Sequence, residues 1–208
     1  MPSPRGCSVS GGREMARWHH LLTCSSRRHG GLKMVMSTAI RKSAIMSIPR
    51  AMEAAAKRFF SSPDFAVAGA SQDQSKFGYR ILAWYHQHTL PVTPINPTRP
   101  SISLPSKTYE TVPSVSALPR PDQTALSFVT PPAITRRILR EAKAAGVKAV
   151  WFQPGSFEDE DLKYAKENFE SAIGGFEDGT VGGEGWCVLV DGENALRAAG
   201  KKIVKQKL

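Results

Sequence analysis

The sequence has little of several features that would identify its class directly. It contains three cysteines in 208 residues, Cys7, Cys24 and Cys187, and the first two precede the predicted globular region. So few cysteines imply no disulfide framework, and they favour an intracellular, reducing setting. No apolar run approaches the roughly 20 residues that a membrane span requires, so no membrane partner is expected.

Metal-ligand spacing is also missing from the sequence. His19 and His20 precede Cys24, but a structural zinc site needs about four ligands at suitable spacing. We therefore predict no metal site.

Acidic residues are scarce at the start of the chain. Residues 1–60 hold 11 lysines and arginines but only two acidic residues, so their net charge is +9. Residues 61–208 hold 17 basic and 16 acidic residues, so their net charge is +1. A nucleic-acid-binding face needs clustered cations, so the nearly neutral remainder favours no nucleic-acid partner. The net charge of +10 therefore belongs mostly to the N-terminal segment.

This Arg- and Ser-rich segment has the composition of a mitochondrial transit peptide. The alternative is a leader without a targeting role, upstream of a later start, because Met34, Met36, Met46 and Met52 follow. We expect a basic, disordered leader over residues 1–48, a globular domain over 49–200 and a basic tail over 201–208. The expected location is the mitochondrial matrix or the cytoplasm.

Apolar runs without polar alternation predict buried strands at residues 65–68, 91–95, 125–129, 147–152 and 187–190. Helices are predicted at 49–60, 76–88, 130–145 and 158–169, with Phe59 and Phe60 docking the first helix on the domain. A short strand at 108–109, a helical turn at 115–118 and a glycine-rich loop at 174–185 complete the pattern. The alternation predicts an α/β protein with a Rossmann-like three-layer fold, in which helices cover both faces of a mostly parallel sheet.

Four predicted strand ends carry residues that suit ligand binding. They are Gly69-Ala70-Ser71, Asn96-Pro97, Thr130-Pro131-Pro132 and Gln153-Pro154-Gly155. Because ligands of open α/β sheets bind beyond the carboxyl ends of the strands, we expect these four turns to share one crevice.

The first of these turns suits a phosphate group. Gly69 and Ala70 permit close backbone approach, and Ser71 adds a hydroxyl. Lys76-Phe77-Gly78 then opens a helix, whose free N–H groups and partial positive charge favour phosphate, while Lys76 adds a full charge. The alternative is a tight turn followed by a solvated lysine.

The absences in this region narrow the choice of nucleotide. The dinucleotide fingerprint spaces three glycines over six positions, whereas Gly69 is followed next by Gly78. Asn96 stands where an acidic residue would bind the ribose hydroxyls of NAD. Arg99 could pair with a ribose phosphate, or it could be a solvated loop cation. These features favour NADP or coenzyme A over NAD.

The ordered motifs FAVAGAS, KFGYRIL, PVTPINP, VTPP and AVWFQPG resemble the CoA-binding domain family, small Rossmann-like proteins related to the N-terminal domain of the succinyl-CoA synthetase α subunit. The resemblance covers about residues 52–200. It implies a CoA or acyl-CoA ligand across the strand ends. The nucleotide part would meet Gly69, Ala70, Ser71, Lys76, Asn96 and Pro97, and the remaining path would follow residues 130–132 and 153–155.

The chain departs from this family near its end. Bacterial relatives often finish with an Asp-Arg-Cys stretch, whereas Gly185-Trp186-Cys187 stands here after the glycine-rich insertion. We therefore expect Cys187 to be a buried structural cysteine. Trp186 either covers the crevice or packs in the core.

Catalytic groups are also scarce. The synthetase relatives use a phosphate-accepting histidine on a second domain, but His86 and His88 lie roughly 20 Å from the phosphate-binding end of a helix of about thirteen residues. The acidic run 158–161 opens a helix, where the helix dipole explains it. Asp191 and Glu193 are expected to face solvent.

The sequence therefore favours a CoA-binding module without catalysis, such as a sensor, carrier or regulator, that could form a homodimer. Two alternatives stay open. One is an NADP-dependent oxidoreductase with Tyr79 or Tyr85 as its acid, and the other is an interaction protein whose ligand pocket is vestigial.

Overall fold

The computed structural model describes residues 50–176 and 180–208, so the predicted leader, with Cys7 and Cys24, lies outside the described residues. Helices and strands alternate along most of the chain. They are α1 (Arg50–Ser61), β1 (Asp64–Ala68), α2 (Phe77–Gln87), β2 (Val92–Ile95), β3 (Ser101–Leu104), β4 (Lys107–Glu110), β5 (Thr124–Phe128), α3 (Pro132–Ala144), β6 (Ala149–Phe152), α4 (Asp159–Asn168), β7 (Ser171–Ile173) and α5 (Val188–Ala198).

Five of the strands form one parallel sheet in the order β2-β1-β5-β6-β7. The chain runs outward from β1 to β2 and then returns to the other side of β1 to begin β5. This reversal creates a topological switch point between β1 and β5, where open α/β sheets place their ligands. The predicted Rossmann-like α/β fold with a parallel central sheet is confirmed.

Both faces of the sheet are buried, as the apolar strand sequences predict. Phe65 and Val67 of β1 pack among residues of α1, α2 and α5, whereas Ala66 and Ala68 pack among residues of α3 and α4. Side chains alternate between the faces because successive Cβ atoms of a strand point in opposite directions. Helices therefore cover both sides of the sheet, which completes the predicted three layers.

The aromatic pair at the end of α1 docks this helix on the sheet, as predicted. Phe59 and Phe60 are fully buried. Their ring centroids lie 5.4 Å and 6.0 Å from that of Trp151 on β6, in edge-to-face arrangements. Aromatic pairs prefer this geometry, since the positive edge of one ring meets the negative face of the other.

A β-hairpin stands where the sequence predicts mostly irregular structure. Strands β3 and β4 pair antiparallel, so the short strand predicted at 108–109 has a partner that was missed. Ile102 and Tyr109 are buried against the core. The Gln72 amide also fixes the hairpin, because its Oε1 accepts from Ser103 N–H at 2.8 Å and its Nε2 donates to the Ser103 carbonyl at 3.2 Å.

The prediction of a strand at residues 187–190 is wrong, because Val188 begins helix α5. The buried residues of this helix have helical spacing: Val188, Asp191, Gly192, Ala195 and Leu196. Gly192 is required by close packing, since a Cβ there would lie 2.4 Å from Cζ2 of Trp84. The fifth strand of the sheet is instead β7, a three-residue segment that the sequence analysis missed.

The predicted exposure of Asp191 is also wrong, whereas Glu193 is partly exposed. Asp191 is fully buried, and its carboxylate accepts hydrogen bonds from the N–H groups of Val181 at 2.8 Å and Cys187 at 2.9 Å. The Thr180 hydroxyl donates a third bond at 3.1 Å. The carboxylate therefore holds the end of the glycine-rich loop on the start of α5. None of the helices in the two described ranges is both long and apolar enough to cross a bilayer.

Candidate functional site

A cavity of about 450 Å³ lies at the switch point, where the turns after β1, β2 and β5 meet. Five of the predicted site residues line it: Gly69, Asn96, Pro97, Thr130 and Pro131. The rest of the wall comes from β2, from the segment before β5 and from α3: Ile95, Pro113, Ser114, Val115, Ile134, Arg137, Ile138 and Glu141. This cavity is mostly apolar, with one arginine and one glutamate contributed by α3. It is called the larger cavity below, by comparison with a smaller one that adjoins it.

Two glycines shape the turn after β1. Gly69 has φ +91°, in the left-handed region that favours glycine. A Cβ on Gly78 would lie 2.1 Å from the Gly69 carbonyl oxygen, so the start of α2 packs directly on the turn. The spacing of Gly69 and Gly78 differs from the dinucleotide fingerprint, but Gly78 permits the close approach of helix and strand that the third fingerprint glycine permits.

The start of α2 presents backbone donors and one cation. Phe77 and Gly78 are in the first helical turn, where N–H groups have no intrahelical acceptor. Lys76 precedes them as the exposed N-cap residue, without a capping bond from its side chain. Such a terminus favours an anion through its free N–H groups and its partial positive charge.

A carboxylate that the sequence analysis missed lies just before this helix. Asp73 Oδ1 accepts from the Ser75 hydroxyl at 2.6 Å and from Ser75 N–H at 2.9 Å. These hydrogen bonds, with a smaller contribution from the charge of Lys76, hold the pKa of Asp73 below its usual value. Ser71 Oγ in turn accepts from Asp73 N–H at 3.1 Å. The Ser71 hydroxyl is thus part of the turn, although its own proton can still be donated.

Asn96 links the second turn to the first. Its Nδ2 donates to the Ala70 carbonyl at 2.9 Å, and its Oδ1 accepts from the hydroxyl and N–H of Thr98 and from Arg99 N–H at 2.9–3.0 Å. The side chain therefore holds the two turns together. The Arg99 side chain is exposed and does not line the larger cavity, whereas Arg137 does.

A smaller cavity of about 270 Å³ adjoins the first, since Thr130 and Pro131 line both. Five more of the predicted site residues line this smaller cavity: Phe77, Pro132, Gln153, Pro154 and Gly155. Val129, Ser156, Glu184 and Cys187 were not predicted there. The remaining predicted residues flank the turns without lining either cavity: Ala70, Ser71, Lys76, Gly78 and Arg99.

Cys187 and Trp186 are both buried. Burial raises the pKa of the Cys187 thiol, with further contributions from the charges of Asp191 and Glu184, and the Leu189 and Val190 N–H groups oppose the rise. The Trp186 carbonyl accepts from Trp151 Nε1 at 3.3 Å within the core. Of the two roles considered for Trp186, core packing is the one observed, and Cys187 is buried as predicted.

The residues considered for catalysis line neither of these two cavities, although His86 lines a separate cavity near the end of α2. His86 and His88 are buried near the end of α2, where His86 bonds the Tyr109 hydroxyl at 2.9 Å and His88 bonds the Trp84 carbonyl at 2.7 Å. Tyr85 is also buried, and its hydroxyl lies 2.7 Å from Ser127 Oγ. Burial raises the pKa of Tyr85, and the Ser127 bond opposes the rise.

The acidic run at the start of α4 has a structural role, as the helix-dipole argument predicts. Glu158 and Asp161 form a capping box. Arg136 Nε donates to Asp161 Oδ1 at 2.8 Å and so ties α3 to α4. Within the part of the chain that the structure describes, no group of three or more His, Cys, Asp and Glu residues could hold a metal ion.

Comparison with known proteins gives one family and several structural neighbours. A family model described as a CoA binding domain matches residues 64–177. A conserved hypothetical protein from Pyrococcus furiosus is 31% identical and has a TM-score of 0.47, over 52% of this chain and 90% of that one. A hypothetical protein from Pyrococcus horikoshii OT3 is 21% identical with a TM-score of 0.56, over 70% of this chain and 92% of that one, so it shares the fold. No curated protein matches the chain.

Proposed function

Because the chain belongs to the CoA-binding domain family, whose model matches more than half of it, we propose that it binds coenzyme A or an acyl-CoA without catalysis. The observation that carries the proposal is the larger cavity at the switch point, which the turns after β1, β2 and β5 line together. Ligands of doubly wound sheets bind at this place. The ligand would then lie across the carboxyl ends of the strands.

The adenine ring fits the larger cavity best. Its walls carry Ile95, Val115, Ile134 and Ile138, and small-molecule sites are mostly apolar with a few polar groups that fix orientation. The pyrophosphate would then reach the start of α2, where Lys76 supplies a positive charge. Arg137, which lines the cavity, and Arg99, in the turn after β2, are the candidates for the ribose phosphate.

The pantetheine arm would continue into the smaller cavity. Thr130 and Pro131 form part of both cavities, so one extended molecule can occupy the two. Four titratable side chains of the described residues line these two cavities: Arg137, Glu141, Glu184 and Cys187. Glu141 already accepts two bonds of 2.8 Å from Ser116, and the pKa of the Cys187 thiol is raised. This set favours a sensor, carrier or regulator over an enzyme.

The two candidate acids of the NADP-dependent oxidoreductase alternative lie outside the two cavities. Tyr79 and Tyr85 are buried, and neither lines either cavity. The basic leader supports a proposed mitochondrial location, and mapping the mature N terminus of the cellular protein tests that location independently of the ligand.

Isothermal titration of the full chain with CoA, acetyl-CoA, NADP and NAD tests the proposal. We expect heat with the CoA forms and much weaker heat with NAD. No heat with the CoA forms at high protein concentration would overturn the proposal, and tighter binding of NADP than of CoA would restore the oxidoreductase alternative.

Lys76→Ala tests the position of the phosphates. Because Lys76 is exposed, we expect its loss to cost about 1 kcal/mol of binding, which is roughly a fivefold weaker affinity, and more at low salt than at high salt. The melting temperature should stay nearly unchanged. Lys148→Ala is the matched control, since Lys148 is exposed just before β6, at the amino ends of the strands and so opposite the proposed site. A lower melting temperature with unchanged affinity would assign Lys76 a structural role.

A further inference from the structure

One buried side-chain donor, on a residue that lines the smaller cavity, has no partner of its own. Gln153 follows β6 and is 2% exposed. Its Oε1 accepts from Val188 N–H, the first N–H of α5, at 2.9 Å. That bond fixes the orientation of the amide, because a flipped amide would place its NH₂ against another donor. Among the buried side-chain nitrogens and oxygens of the described residues, Gln153 Nε2 alone lacks a hydrogen-bond partner.

The two hydroxyl groups that line this cavity are satisfied within the protein. The Ser156 hydroxyl donates to the Gln153 carbonyl at 2.7 Å, and the Thr130 hydroxyl bonds the Thr135 hydroxyl at 2.7 Å. A buried donor without an acceptor costs about 1–3 kcal/mol, and native proteins rarely leave one. The unpaired Nε2 of Gln153 therefore indicates that a ligand in the cavity lined by this residue supplies the acceptor atom.

The remaining walls define the kind of group that carries this acceptor. Phe77, Val129, Pro131, Pro132 and Pro154 are apolar. Among the described lining residues the one charged side chain is that of Glu184, and none is a cation. A second carboxylate in this cavity would stand near Glu184 without a counterion, and the two like charges would repel each other, although solvent screens the repulsion because Glu184 is exposed.

The size of the cavity limits the length of the group. A volume of about 270 Å³ corresponds to roughly nine water-sized groups at about 30 Å³ each. The cysteamine end of the pantetheine arm with two or three acyl carbons is accommodated within this space, whereas a longer acyl chain has to extend past Pro154, Gly155 and Glu184 into a neighbouring cavity that these residues also line. The Cys187 thiol on the wall is held in its protonated form by its raised pKa, so it contributes a small, neutral surface.

We propose that the smaller cavity receives the thioester end of a short, uncharged acyl-CoA, with Gln153 Nε2 donating to the thioester carbonyl oxygen. This inference rests on the proposed CoA binding and specifies which CoA forms the protein prefers. The protein would then distinguish acylated from free CoA, and short neutral acyl groups from dicarboxylic ones.

A pair of ligands tests the hydrogen bond without changing the protein. Acetyl-CoA and S-ethyl-CoA differ in having a carbonyl or a methylene beside the sulfur. Isothermal titration of the full chain should give acetyl-CoA about fivefold to tenfold tighter affinity than S-ethyl-CoA. Equal affinities would overturn the inference while leaving CoA binding intact. No binding of any CoA form would instead overturn the proposed function.

Gln153→Glu tests the donor itself at pH 8.5. The substitution keeps an oxygen for Val188 N–H but replaces Nε2 by a second acceptor, so the preference for acetyl-CoA over S-ethyl-CoA should disappear. Gln123→Glu is the matched control, because Gln123 is exposed just before β5, at the amino ends of the strands and so opposite the proposed site. An equal loss of affinity for CoA, acetyl-CoA and S-ethyl-CoA would place the Gln153 bond on a pantetheine amide and overturn the thioester assignment.

Succinyl-CoA tests the charge preference. It should bind about threefold more weakly than acetyl-CoA, because repulsion from an exposed carboxylate costs up to about 1 kcal/mol, and Glu184→Gln should narrow the difference. Succinyl-CoA that binds as tightly as acetyl-CoA would overturn the preference for uncharged acyl groups.

Discussion

Gly78→Ala should damage both the stability of the fold and the turn after β1, which we propose binds phosphate. An ideal Cβ on Gly78 lies 2.1 Å from the Gly69 carbonyl oxygen and 3.2 Å from the Ser71 nitrogen, whereas real Cβ atoms keep at least 3.0 Å. These are backbone atoms, which cannot rotate away, so the cost falls at the upper end of the about 1–3 kcal/mol of overpacking. The better helix propensity of alanine returns at most about 1 kcal/mol. We expect a net loss of about 2 kcal/mol.

For a domain of this size, that loss corresponds to a melting temperature about 4–8 °C lower, which circular dichroism measures directly. Titration should also show weaker CoA binding, because the start of α2 must move away from the Gly69 turn. Gly183→Ala is the matched control, since a Cβ on Gly183 meets no atom within 4 Å. A Gly78→Ala protein that melts within 1 °C of the wild type would refute the close packing of α2 on this turn.

Two further substitutions test the structural carboxylates. Asp191→Asn should lower stability by about 1–3 kcal/mol in chemical denaturation, because an amide leaves at least one of the buried donors around it unpaired; unchanged stability would contradict the burial of this carboxylate. Asp161→Asn should cost about 1 kcal/mol at neutral pH, because the amide lacks the charge of the carboxylate and one of the two oxygens that accept from Arg136. Burial raises the pKa of Asp161, but bonds from Arg136 and Glu158 N–H and the charges of Arg136 and Arg140 outweigh it, so the pKa is lowered. The contribution of the Asp161 charge to stability is therefore complete above the unfolded pKa of about 3.9, and it is lost as pH falls through the lower folded pKa. The free energies of unfolding of the wild type and Asp161→Asn should therefore become similar in acid.

The central strands could be predicted from the sequence because burial on both faces leaves a clear local signal. Strands β1, β2, β5 and β6 are short apolar runs that end at Gly, Asn, Thr or Gln. The rule that ligands bind beyond the carboxyl ends of such strands then predicts which turns meet. Neither step requires knowledge of distant contacts.

The elements that were missed depend on distant contacts. The run Val188-Leu189-Val190 has strand propensity, but the buried face of α5 continues through Asp191 and Gly192, which no hydrophobic pattern would include. Asp191 is buried because it binds the loop before it, and Gly192 because Trp84 lies against it. Likewise, β3 is held by Gln72, some thirty positions earlier in the chain.

The predicted site was incomplete for a related reason. The turns were predicted, but one wall of the larger cavity is a face of α3, formed by Ile134, Arg137, Ile138 and Glu141. These residues have the i, i+3, i+4, i+7 spacing of one helical face, so the signal was present once α3 was known to start at Pro132. Which face turns toward the cavity depends on how α3 packs on the sheet, and the sequence does not contain that information locally.

Asn96 shows why the absence of an acidic residue does not define the ligand by itself. In a NAD-binding site the acidic residue at this position accepts hydrogen bonds from the ribose hydroxyls. The amide of Asn96 instead bonds to the protein itself: it donates one bond to Ala70 and accepts three from the turn that follows. A carboxylate could not donate to the Ala70 carbonyl, so this pair of turns needs an amide whatever nucleotide binds. We therefore propose that a preference for CoA over NAD comes from the cavities themselves, the mostly apolar one beside α3 and the smaller one beside Gln153.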